Sequence, residues 1–206
     1  MRSRTISTSA SARWALLLVA TACLAGCAAK DGVLRGRVVA LADGDTLTVL
    51  EGKTRHRIRL TGIDAPERRQ PFSKRSTEHL ATLVFEREVE VHWTKQDHYG
   101  RILGKVLVTD PACAGSRCPK IDVNLRQLEG GYAWWYRQYA REQPEADRAT
   151  YEEAERRSRE ARRGLWEQPE PTPPWEWRRD ERRSRSRKKA APERRAPSEG
   201  AATSAQ

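Results

Sequence analysis

The chain has 206 residues, which gives room for one domain of ordinary size plus appendages. Its 13 Gly, 11 Pro and 33% charged residues argue against a chain that folds from end to end. A formal net charge of +11 favours a polyanionic partner, either nucleic acid or an anionic membrane surface, and leaves that choice to the motifs.

In chain order, the N-terminus carries Arg2, Arg4 and Arg13 without an acidic residue, then an apolar run over 14–24, then small residues. This is the layout of a secretory signal peptide. The run is well short of the roughly 20 apolar residues of a spanning helix, so a permanent transmembrane segment is the weaker reading. Leu24-Ala25-Gly26-Cys27 looks like a bacterial lipobox, with Cys27 as the lipidated first residue after cleavage of 1–26. Ordinary cleavage within 25–29 is the alternative. Either way the protein is expected to be exported, and with the lipid to sit anchored at the cell envelope. Residues 27–32 read as a short linker.

Residues 33–41 are rich in β-formers and end at Asp43-Gly44, a hairpin turn signal. The partner strand runs over 46–51, and Gly52-Lys53 turns the chain into a third strand over 55–63. In that strand Ile58 and Leu60 alternate with Arg55, Arg57 and Arg59, which predicts one core face and one basic face lining an open groove. Pro66 holds Ala65 extended, so that Asp64 and Glu67 leave the strand end in a defined geometry. A helix is predicted over 71–86, a fourth strand around Val89, Val91 and Trp93, and a fifth over 102–109. Cys113 and Cys118 form a close pair without a nearby His or further Cys to complete a zinc shell. In an exported protein such a pair reads as a disulfide.

Asp122 is a good N-cap for a short helix that stops at Gly130-Gly131. The aromatic run Tyr132-Ala133-Trp134-Trp135-Tyr136 suits either a packing seam or base stacking, with packing the stronger reading. A charged helix follows from Pro144 to about Arg163, closed by Leu165-Trp166. His56, His79, His92 and His98 form no close ligand set. From 169 to 206 the composition turns to Pro, Arg, Glu and Ser, and a disordered basic tail is expected, one that adds salt-sensitive affinity for polyanions.

Three separated segments, Asp43-Gly44-Asp45-Thr46, the run from Ile58 to Glu67, and Asp97-His98-Tyr99-Gly100-Arg101, occur in the order found in staphylococcal-nuclease-like thermonucleases, which this chain resembles over about 33–166. The resemblance implies a five-stranded OB-type barrel, mainly β with α, carrying about three helices and occupying 33–168, likewise the element order read above. It implies a hydrolase, a thermonuclease-type phosphodiesterase acting on DNA and RNA with little sequence preference and leaving 3′-phosphate ends. Asp45, Asp64 and the carbonyl of Ala65 would hold Ca2+, whose preference for hard oxygens suits them. The staphylococcal prototype has threonine where Ala65 stands, a change that a carbonyl ligand tolerates. Glu67 would activate or position the attacking water, Arg59 and Arg101 would clamp the phosphate, and Tyr99 would flank the nucleotide. The protein would act as a monomer. The alternative is a catalytically inactive nucleic-acid-binding OB module on an envelope lipoprotein. Such a module would be expected to lose part of the set Asp45, Arg59, Asp64, Glu67 and Arg101, all of which are present here.

Overall fold

The computed structural model describes residues 32–115 and 117–190. The leader, the lipobox with Cys27 and the last stretch of the tail lie outside them. The described chain contains strands β1 (Gly32–Leu41), β2 (Thr46–Glu51), β3 (Thr54–Leu60), β4 (Ile63–Asp64), β5 (Glu88–Gln96), β6 (Ile102–Thr109), β7 (Lys120–Asp122) and β8 (Trp134–Trp135). Its helices are α1 (Ser73–Val84), α2 (Val123–Glu129), α3 (Glu145–Glu160) and α4 (Pro174–Ala190), with 3-10 turns at Arg137–Glu142 and Gly164–Glu167.

The main sheet has the order β3-β2-β1-β5-β6-β7, and a parallel pairing of β3 with β6 closes its first five strands into a barrel. That closure removes the free edges that an open sheet of this length would present. Val38, Leu47, Val49, Ile58, Leu60, Val91, Ile102 and Val106 alternate inward along their strands and fill the interior, with Leu80 and Val84 of α1 and Leu128 of α2 packing against them. The expected OB-type architecture is therefore present, with β4, β7 and β8 as short additions to the five expected strands.

Local signals explain most boundaries. The Asp122 carboxylate accepts the Leu125 N–H at 3.0 Å and caps α2. From that helix the buried Asn124 reaches across to both closing strands: its amide donates to the carbonyls of Thr61 and Gly104, and its oxygen accepts the Val106 N–H. Gly62, at φ +73°, makes the tight turn from β3 into β4, where a Cβ would lie 1.9 Å from Gln143 Nε2. Cys113 and Cys118 are joined as a disulfide across the loop between β6 and β7, with their Cα atoms 5.6 Å apart. The aromatic run serves packing at its centre: Trp135 joins the main core, and Trp134 clusters with Leu165 and Trp166.

The expectation of a disordered tail is corrected for its first part. Residues 174–190, read from composition as disordered, form α4. The composition lacks aliphatic residues, but Trp175 stacks on Tyr136 with ring centroids 5.6 Å apart and an 11° interplanar angle, and also packs against the Trp134 cluster. Upstream of the helix, the Gln70 amide donates to the Thr172 carbonyl. Aromatic and polar anchors take the place of an aliphatic face. Pro174 opens the helix where a missing N–H leaves no bond unmade.

Candidate active site

The site forms where β3 leaves the barrel. Glycine at position 44 lets the turn between β1 and β2 lie against α1: a Cβ there would sit 1.8 Å from Ser76 Oγ and 2.9 Å from the Ala65 Cβ. Gln127 of α2, fully buried, donates to the Gly44 carbonyl at 2.6 Å and to the Ser76 carbonyl at 3.1 Å, fixing the turn from below. Asp45 is thereby held inward. Its Oδ2 accepts the Ala65 N–H at 2.6 Å and its Oδ1 accepts the Thr46 hydroxyl at 3.1 Å.

Between Asp45 and Asp64 lies the Arg59 guanidinium. Nη1 is 2.8 Å from Asp45 Oδ2 and Nη2 is 2.7 Å from Asp64 Oδ1, while Nη1 also donates to the carbonyls of Leu60 and Ile63. Only 14% of the Arg59 side chain is exposed, so the expectation of an open basic face holds for Arg55 and Arg57, which are exposed, and not for Arg59. Burial pushes the Asp45 carboxyl well above the usual carboxylate range; Arg59 opposes this, and Asp43 and Asp64 add to it. For Arg59 itself, burial works to lower the pKa, but Asp45 and Asp64 overcome it and the net shift is upward. Carboxylates crowded in this way are a site for added positive charge.

The donor set fits a hard divalent cation. Asp45 and Asp64 converge on one guanidinium, and Asp45 also accepts the N–H of Ala65, the residue after Asp64, so two hard carboxylates share one corner. Among the described residues there is no cluster of three or more His, Cys, Asp or Glu arranged to hold a metal. A cation here would complete its shell with backbone and water oxygens, as Ca2+ does readily.

Glu67 stands at the rim with 38% of its side chain exposed, and its N–H is held by the buried Gln70 side chain at 3.0 Å. Arg101 closes the turn just before β6, and because Ile102 pairs with Ile58 and faces the core, Arg101 falls on the outer side of the barrel beside β3. Its Nε donates to Asp97 Oδ2 at 2.7 Å and its backbone N–H to Asp97 Oδ1 at 2.9 Å. Burial acts to raise the Asp97 pKa, but these Arg101 donors and the Tyr99 N–H outweigh it, and the carboxyl sits below its ordinary value. Tyr99 is 69% exposed at the tip of this turn, with the Arg101 guanidinium 5.6 Å from its ring centroid. Among these contacts Arg101 and Tyr99 bond within their own turn rather than to Asp45, Asp64 or Glu67.

Motif reading missed a group that the fold brings in. Arg178 of α4 donates from Nη2 to Asp64 Oδ2 at 2.8 Å and from Nη1 to Glu67 Oε1 at 2.6 Å, with a further bond from Nη1 to Asp64 Oδ1 at 3.2 Å. Burial works to lower its pKa, and Asp64 and Glu67 raise it above the ordinary arginine value. The available signal was Pro173-Pro174-Trp175-Glu176-Trp177, a helix start with two tryptophans, followed by a long stretch free of Gly and Pro. His79 also proves to be structural: it stacks on Tyr132 at 4.2 Å and bonds to Gln127.

A barrel with this strand order and a carboxylate–arginine corner at the end of β3 defines a nuclease-like OB fold. The family description "Staphylococcal nuclease homologue" matches residues 57–168. The chain is 43% identical over 148 residues to Protein ParB of Escherichia coli, covering 71% of this chain and 80% of that one. It is 40% identical over 145 residues to the micrococcal nuclease of Shigella flexneri, covering 70% and 80%. To an uncharacterized endonuclease of Escherichia coli it is 37% identical over 145 residues, covering 70% and 85%. The chain belongs to the staphylococcal nuclease homologue family.

Proposed function

We propose that this chain is a Ca2+-dependent nuclease that hydrolyses phosphodiester bonds of DNA and RNA with little sequence preference. The observation that carries the reading is the convergence of Asp45, Asp64 and Arg59, from two separated motifs, on one buried corner beside Glu67. The family, with relatives named as nucleases and endonucleases, supports it.

When bound by Asp45, Asp64 and the Ala65 carbonyl, Ca2+ supplies positive charge to a phosphoryl oxygen. Arg59, already oriented by four acceptors, offers its planar fork to the phosphate, and Arg101 offers a second from the turn before β6. Both stabilise the extra charge of the five-coordinate transition state. Glu67 accepts a proton from the attacking water, whose oxygen bonds to phosphorus. The bond from phosphorus to the 5′ oxygen breaks, that oxygen takes up a proton from solvent water, and the products end in a 3′-phosphate and a 5′-hydroxyl. Arginine forks aimed at phosphate read no base edges, which accounts for low sequence preference. The leader features and Cys27 support export and lipid anchoring at the cell envelope, with a monomer as the acting unit.

A zymogram on DNA and on RNA tests the activity: clearing with millimolar Ca2+ and none with chelator is expected, and an uncut gel under Ca2+ would refute the assignment. Labelled fatty acid incorporated by the native chain and not by Cys27→Ser tests the anchor.

A further inference from the structure

Arg178 lies ten residues beyond the end of the segment that matches the family, yet it binds the same two carboxylates that the proposed reaction needs. Its guanidinium spans both oxygens of Asp64 and reaches Glu67 Oε1. With Arg59 also on Oδ1, three of the roughly four lone pairs of Asp64 are engaged, and Arg178 takes one on Glu67 Oε1, so a cation at Asp64 meets a positively charged competitor already in place.

We propose that α4 is a displaceable plug, in which Arg178 competes with the divalent cation for Asp64 and Glu67 and so sets the cation concentration at which the nuclease turns on. This rests on the nuclease reading above.

The construction of α4 suits that role. Its grip on the domain comes from its first turn and the residues before it: the Gln70 amide on the Thr172 carbonyl, Trp175 on Tyr136, and Arg178 itself. Beyond that turn, Arg179, Asp180 and residues 182–189 are exposed. The Arg178 side chain is 32% exposed and its Glu67 partner 38%, so one half of the contact is open to solvent, where such pairs are weak and exchangeable. Arg178 contributes one positive charge against the two of a divalent ion, and the carboxylates crowded at Asp45 and Asp64 favour the larger charge. Binding through a competent state that is only partly populated raises the apparent dissociation constant by the reciprocal of that population. Removing the plug should therefore tighten the cation without any new ligand.

The test is calorimetric titration of Ca2+ into the full-length chain, wild type against Arg178→Ala and Trp175→Ala. Amide hydrogen exchange over 174–190 is followed with and without Ca2+. Arg178→Ala is expected to tighten Ca2+ about tenfold or more, and Trp175→Ala to tighten it less, because Arg178 remains. Exchange in α4 of the wild type is expected to accelerate when Ca2+ binds, a response that turnover does not report. Equal Ca2+ affinity in wild type and Arg178→Ala would overturn the plug while leaving the nuclease site standing. Unchanged affinity with slower turnover at saturating Ca2+ would overturn it too, and make Arg178 a phosphate-binding arm. No Ca2+ binding in any of the proteins would refute the nuclease reading itself and the plug with it.

Discussion

Asp45 accepts the Ala65 N–H at 2.6 Å, which joins the turn after β1 to the residue that follows Asp64. Through this one bond two motifs twenty residues apart become a single rigid corner, and the spacing of the carboxylates no longer depends on either loop alone. Buried charge-assisted bonds of this kind are among the stronger ones, so disturbing the turn should disturb the site.

Gly44→Ala is the direct probe of that corner. The added methyl would meet the Ser76 hydroxyl and the Ala65 side chain, and the turn must shift to admit it. A loss of about 1 to 3 kcal/mol is expected in urea denaturation, together with a fall in cleavage rate larger than the loss of folded protein explains. Normal turnover in the folded fraction would show that Asp45 does not depend on this packing.

Arg59→Lys keeps the charge but cannot reach Asp45, Asp64 and two carbonyls with one planar group. Turnover should fall by about 10² to 10³, the range for losing a charge-stabilising donor. Glu67→Gln keeps shape and removes the proton acceptor, so single-turnover cleavage should slow steeply while DNA binding in a filter assay stays near that of wild type.

Loss of the Cys113–Cys118 bridge should affect stability and leave chemistry alone. The bridge closes a loop with a sequence separation of 5. In the chain-entropy account so small a loop contributes about 2 kcal/mol. The paired Ser variant is expected to unfold at lower urea concentration and to cleave at the wild-type rate; a large drop in rate would tie the loop to the site.

Burial lowers the His79 pKa, with the Gln127 bond acting partly against it. A folded state that takes up a proton less readily than the unfolded chain is stabilised above the unfolded value of about 6.5, and that stabilisation is lost as pH falls through the lowered folded value. Thermal midpoints should therefore decline on acidification across that window, and His79→Gln should flatten this part of the profile. Because Gln127 also holds Gly44, the same substitution reports whether the brace under Asp45 needs the imidazole.

The sequence by itself determined the barrel strands and the α2 cap at Asp122, because alternation and capping act over a few residues, whereas the grouping of Asp45 with Asp64 and Glu67 came from the resemblance of three separated motifs to a known family. Tertiary structure alone decided that Arg59 is clasped between two aspartates, although its neighbours Arg55 and Arg57 in the same alternation face solvent. The difference arises where β3 ends, since only Arg59 lies level with the turn that carries Asp45. Composition also failed for 174–190, since it counts aliphatic residues and α4 is held by a tryptophan stack and a charge pair. Arg178 and Asp64 are 114 residues apart, and no local pattern encodes a contact of that span. It exists because barrel closure, the Trp134 cluster and the turn before Pro174 bring the two to the same rim.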